Sequence, residues 1–138
     1  MKSRKVLSLL AVAALTATVF VGCGNKEAKL KDGNYKAESA VDERGYKGSI
    51  EIEIKDGKVS EVKYDEVNEE KSTSKLTDAD YNKKMKEKSG TNPEEAFPKL
   101  QNSLIEKQDA SAVDTVSGAT SSSNQFKDVA AEALKKAQ

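Results

Sequence analysis

The sequence predicts an α+β fold: a small antiparallel sheet containing a hairpin, packed with three helices. Three observations predict it. Ile50, Ile52 and Ile54 alternate with Glu51, Glu53 and Lys55, the period of a half-buried strand. Asp56-Gly57 follows at once and is a two-residue turn signal for a hairpin. Every segment with helical periodicity comes after the strand region, and strands followed by helices give a segregated rather than an alternating architecture.

The first strand is expected at about 34–41, after the turn cluster Asp32-Gly33-Asn34, with Tyr35, Ala37 and Ser39 on one face. Gly45-Tyr46-Lys47-Gly48 leads into the second, at 48–55, and the third returns over 58–66 through Val59, Val62 and Tyr64. In an uninterrupted register Ile54 faces Val59, but Ile52 then faces Glu61. A one-residue bulge between Val59 and Val62 restores Ile52 opposite Val62 and Ile50 opposite Tyr64, so a bulge is expected there.

The first helix is expected at 78–88, capped by Thr77 or Asp78, carrying Tyr81 and Met85 at i, i+4 and stopped by Gly90. Asn92-Pro93-Glu94-Glu95 starts the second, at 93–108, whose apolar face is Phe97, Leu100, Leu104 and Ile105. The third, at 121–137, sets Phe126, Val129, Ala130, Ala133, Leu134 and Ala137 on one stripe and charged residues elsewhere. Between the last two helices lie an extended segment, Val113 to Val116, and the run Ser117-Gly118-Ala119-Thr120-Ser121-Ser122-Ser123.

A chain of 138 residues with 23 basic and 23 acidic residues, no His, no Trp and one Cys holds one domain with a modest core. The zero balance and the interspersed charges argue against nucleic acid as a partner. Without His, and with a single Cys, neither a catalytic acid/base set, a CxxC redox pair nor a thiolate metal cage is expected.

The N-terminus reads as a targeting segment. Lys2, Arg4 and Lys5 precede a nearly apolar run from Val6 to Val21, short of the roughly 20 residues needed for a spanning helix. The run ends at Phe20-Val21-Gly22-Cys23, which resembles the bacterial lipobox, although Phe20 stands where lipoproteins usually have Leu. The resemblance implies cleavage after residue 22 and lipidation of Cys23, with 23–31 as a tether and 32–138 as the domain. Diacylation is enough for stable anchoring in the bilayer. The leader would remove three basic residues and leave the mature chain at −3.

One segment carries the chemistry. The run 117–123 combines small side chains, hydroxyls and a helix start, where unpaired N–H groups face an anion. By composition alone, an ordinary Ser-rich cap and linker is the better explanation, because Ser clusters before helices are common. The exact string Asp114-Thr115-Val116-Ser117-Gly118-Ala119-Thr120 resembles the flavinylation motif of the FMN-binding domain family: an Asp, two variable residues, then Ser/Thr-Gly-Ala-Thr. The resemblance extends to Asp32-Gly33-Asn34-Tyr35, Gly45-Tyr46-Lys47-Gly48, the hairpin Asp56-Gly57-Lys58-Val59, Tyr81-Asn82, Met85, Ser89-Gly90 and Gln108-Asp109, which are similar to the Gram-positive surface lipoprotein branch.

That resemblance implies FMN joined by a phosphoester to the hydroxyl of Thr120, attached by a flavin transferase. Gly118 and Ala119 would keep the loop narrow, Ser117 or Ser121 would hydrogen-bond phosphate or ring, and Asp114 would serve recognition by the transferase. Tyr46, Tyr64, Tyr81, Phe97 and Phe126 are candidates to contact the isoalloxazine, each competing with a core role. The implied function is a membrane-anchored, extracytoplasmic electron carrier exchanging electrons with a quinol-linked or flavin-based membrane partner. Two alternatives stay open: a binding or adhesion lipoprotein without flavin, and a precursor whose leader releases a peptide pheromone.

Overall fold

A computed structural model describes residues 29–138; the leader, Cys23 and the first part of the tether lie outside the described residues. Four strands form one antiparallel sheet in sequence order: β1 (Gly33–Glu38), β2 (Lys47–Lys55), β3 (Lys58–Asn68) and the two-residue β4 (Thr73–Ser74). Three helices follow, α1 (Ala79–Ser89), α2 (Pro93–Lys107) and α3 (Thr120–Lys136), with a 3-10 turn at Ala110–Ala112 before the last. The α+β class holds, with one strand more than the sequence pattern indicates.

The hairpin is built as its residues demand. Asp56 and Gly57 both have positive φ, 55° and 79°, which matches a tight two-residue turn to the twist of its strands. Glu53 pairs with Glu61 and Ile54 with Val59, so Ser60 is the extra residue of the expected bulge. Ile52 then faces Val62 and Ile50 faces Tyr64. The bulge has a support that the pattern did not reveal: the Gln108 side chain accepts from the Val59 N–H at 2.8 Å and donates to the Val59 carbonyl at 3.0 Å.

Two boundaries differ for identifiable reasons. β1 stops at Glu38 rather than 41, because the chain turns at Asp42, whose carboxylate accepts from the Arg44 and Tyr46 N–H groups. β3 runs two residues past 66, because β4 returns alongside it, pairing Val67 with Ser74 and Asn68 with Thr73. Helix ends fall within a residue of expectation. Asp78 caps α1, Gly90 stops it at φ 82°, and Asn92 caps α2.

α2 packs on β3, while α3 packs on β2 and β1. The inward residues of the sheet meet Phe97, Leu100, Leu104, Phe126, Val129, Ala130 and Ala133, all essentially buried. Tyr64 stands edge-on to Phe97 and Phe126, with ring centroids 4.8 and 5.0 Å away, an arrangement that suits aromatic quadrupoles. These three rings are core. At the chain's entry Leu30 packs against the core and the Lys31 N–H donates to the Ala137 carbonyl at 2.7 Å, so the described chain joins the domain at the C-terminal end of α3.

Candidate functional site

Val113 to Val116 leave α2 and the 3-10 turn without pairing in the sheet and lead straight to α3. What holds this segment is side-chain chemistry from the helices. The Asp114 N–H donates to Ser103 Oγ at 3.0 Å, and the Val116 N–H donates to Ser123 Oγ at 3.0 Å. Ser123 is fully buried and its hydroxyl donates to the Ala119 carbonyl at 2.7 Å, so one side chain clamps both ends of the turn. The Ala119 N–H closes it on the Val116 carbonyl at 3.0 Å.

Gly118 makes the turn possible. Its φ is +86°, a region that side chains rarely adopt. A Cβ there would stand 2.5 Å from the Ser89 carbonyl oxygen and 3.1 Å from Thr91 Cγ2. The loop is therefore pressed against the connection between α1 and α2. Thr91 is buried, and its Oγ1 has no hydrogen-bond partner among the described residues.

Thr120 is the first residue of α3 and is exposed to solvent. Ala119, the residue before it, provides no side-chain cap, and the first turn of the helix contains no acidic residue. The opening N–H groups of a helix have no partner within it, and the dipole places partial positive charge there. An exposed hydroxyl thus stands at an uncapped, uncompensated helix start.

Ser117, Gly118, Ala119, Thr120 and Ser121 form one continuous lip, with Ala119 half-buried and the others exposed. Asp114, three residues before the lip, has a side chain that is 75% exposed and faces Lys107 Nζ at 3.4 Å. Thr115 Oγ1 accepts from Lys127 Nζ at 3.2 Å. Of the aromatic candidates, Tyr64, Phe97 and Phe126 belong to the core, whereas Tyr46 and Tyr81 are half-exposed, with centroids 6.1 Å apart.

Three contributors escaped the sequence reading as site residues. Ser123 lies on the same stripe as Phe126, Ala130 and Ala133, a core position filled by a hydroxyl, and that mismatch was a usable signal. Ser89 and Thr91 touch the loop from nearly thirty residues upstream; Ser89 figures in the sequence only with Gly90 as part of the family resemblance, and nothing local ties either residue to the loop. Among the described residues no group of three or more ligating side chains is arranged to hold a metal ion, and no helix is long and apolar enough to cross a membrane.

Comparison with known proteins bears on this site. The profile of the FMN-binding domain matches residues 45–135, which include the hairpin, α1, α2, α3 except its last residue, and the 117–121 lip. A 15 kDa lipoprotein of Treponema pallidum is 37% identical over 115 residues, covering 83% of this chain and 80% of its own. A crystal structure of a Clostridium perfringens protein superposes with a TM-score of 0.75 at 50% identity, covering 78% of this chain and 88% of that one. A solution structure of a Clostridium thermocellum protein gives a TM-score of 0.54 at 29% identity, covering 79% and 93%.

Proposed function

This chain belongs to the FMN-binding domain family, and from that premise we propose that it is a lipid-anchored electron carrier whose FMN is esterified to Thr120. The observation that carries the reading is the exposed Thr120 at the uncapped start of α3, preceded by Gly118, where a Cβ would stand 2.5 Å from the Ser89 carbonyl oxygen.

The residues around the lip fit a phosphate group. The unpaired N–H groups of the first turn supply donors, and the absence of acidic residues there leaves the helix dipole uncompensated. Gly118 lets the backbone lie close without a side chain in the way. The buried, unpartnered Thr91 hydroxyl lies under the same loop and adds an unused donor.

FMN, when bound, supplies the reversible uptake and release of electrons; the protein supplies position and electrostatics. Thr120 Oγ is the attachment atom, and Ser117 and Ser121, exposed on either side, provide hydroxyls to the phosphate oxygens. Ser123 holds the turn in register by satisfying Val116 and Ala119. Asp114, exposed and facing Lys107, is suited to recognition by a flavin transferase. Anchoring through Cys23 on the outer face of the membrane follows from the lipobox-like Val21-Gly22-Cys23 and agrees with the lipoprotein name of the Treponema relative.

The test is intact mass after coexpression with a flavin transferase. The wild-type chain should gain one FMN less one water, and Thr120→Ala should gain nothing. A bare polypeptide mass for the wild type, or an adduct surviving Thr120→Ala, overturns the assignment.

A further inference from the structure

α1 is attached to the domain differently from the other two helices. α2 packs on β3 and α3 on β2 and β1, but α1 makes no comparable contact with any element among the described residues. None of its side chains joins the apolar core, and the one it buries is polar, Asn82. Between α1 and the start of α2 runs an open cleft of about 560 Å³ that reaches Asn82, Lys86, Asn92 and Glu94. Segments with little buried apolar contact are the ones that open while the rest of a domain stays folded.

Asn82 is the latch. Its Nδ2 donates to the Lys75 carbonyl at 2.6 Å and to the Asp78 carbonyl at 2.8 Å, and its Oδ1 accepts from the Glu94 N–H at 3.1 Å. One side chain thus ties α1 both to the chain that follows β4 and to the first turn of α2. The other ties lie at the surface: Lys86 Nζ donates to Glu95 Oε1 at 2.8 Å, with both side chains exposed, and half-exposed Tyr81 rests beside Tyr46. Exposed ion pairs hold little. At its C-terminal end α1 stops on Gly90, at φ +82°, where a Cβ would meet nothing within 4 Å beyond the chain neighbours. The backbone is free to turn there.

What α1 covers is the lip. Ser89, its last residue, sets its carbonyl oxygen 2.5 Å from the position of a Cβ on Gly118, two residues before Thr120. Thr91, on the far side of Gly90, touches the same glycine. A turn at Gly90 carries Ser89 away with α1 and leaves Thr91 in place with α2.

We propose that α1 is a hinged lid on the Thr120 site: it swings about Gly90 and the Thr77–Asp78 junction when Asn82 releases, admits the flavin transferase to the lip, and closes with Ser89 against Gly118 once the flavin is attached. This rests on the reading of Thr120 given above. Asn82 acts through α1 and is a positioning residue.

The experiment bridges Lys86→Cys and Glu95→Cys with a reductant-cleavable bis-maleimide, in a chain that also carries Cys23→Ser so that no third thiol competes. Both positions are exposed, and the bridge replaces an ion pair already present. Incubated with the flavin transferase, the bridged chain should gain flavin mass several-fold more slowly than the same chain unbridged, and cleaving the bridge should restore the rate. Hydrogen exchange of the unbridged chain should show the α1 amides exchanging together, at least about tenfold faster than those of α2 and α3, and Asn82→Ala should speed α1 alone. Loading of the bridged chain at the unbridged rate overturns the lid, as does protection of α1 equal to that of α2 and α3. Exchange that rises equally in all three helices of Asn82→Ala overturns the latch. An unbridged chain that never gains flavin removes the Thr120 reading instead, and this proposal with it.

Discussion

Gly118 and Ser123 determine whether Thr120 is presented. Gly118→Ala would require a side chain at φ +86° and a Cβ 2.5 Å from the Ser89 carbonyl. A cost of about 1–3 kcal/mol is expected from the strained backbone, read as a lower urea midpoint, together with reduced flavin loading because the lip must shift. Ser123→Ala removes the acceptor for Val116 N–H and the donor to Ala119 C=O from a fully buried position. Leaving such groups unsatisfied costs about 1–3 kcal/mol. Ser123→Thr, which keeps the hydroxyl, should recover part of the stability lost in the alanine variant. The string 114–120 is legible because it is contiguous, whereas the clamp that shapes it is a tertiary fact: Ser89 and Thr91 meet Gly118 only after α1 and α2 have folded beside it.

At the level of elements, α2 acts as a surrogate strand. Among the described residues the sheet has only the two residues of β4 beyond β3, so most of that edge lacks a strand partner there. Gln101 accepts from the Tyr64 N–H at 2.8 Å, and Gln108, two helical turns further on, serves both polar groups of Val59. Covering an edge in this way removes a template for association with other chains. Gln108→Ala is expected to destabilise the hairpin end by about 1–3 kcal/mol, with the faster amide exchange at Val59 as its readout. The bulge, the turn and all three helices are readable because alternation, Asp-Gly and capping signals are local. Two features leave no such pattern. β4 forms because the Ser74 hydroxyl bonds to Asp65 and Lys75 reaches Glu66, and β1 ends early because Asp42 closes its own turn.

Across the whole molecule, a polar seam running from Lys75 through Glu66, Tyr64 and Gln125 to Ser39 crosses the apolar interior and sets the response to alkali. Burial and the neighbouring Glu66 raise the Tyr64 pKa well above its ordinary 10.0. For Lys75, burial pulls against the raising effect of Glu66, and the net shift is above 10.5. Both folded values exceed the unfolded ones, so the stability these groups contribute is complete below pH 10 and is lost as pH rises beyond it. Denaturation midpoints should be flat through neutral pH on this account and fall above pH 10, and Tyr64→Phe should flatten part of that fall. The joint between Lys31 and Ala137 has a consequence of a different kind. It fixes the entry of the chain at one end of α3, while Thr120 stands at the other, so the 17 residues of that helix act as a spacer of roughly 25 Å. A domain tethered through Cys23 and standing upright would hold its cofactor a helix length away from the lipid surface, open to water-borne acceptors. Exchange with a partner inside the bilayer would then require the domain to tip over, and the reach of the tether would govern the rate.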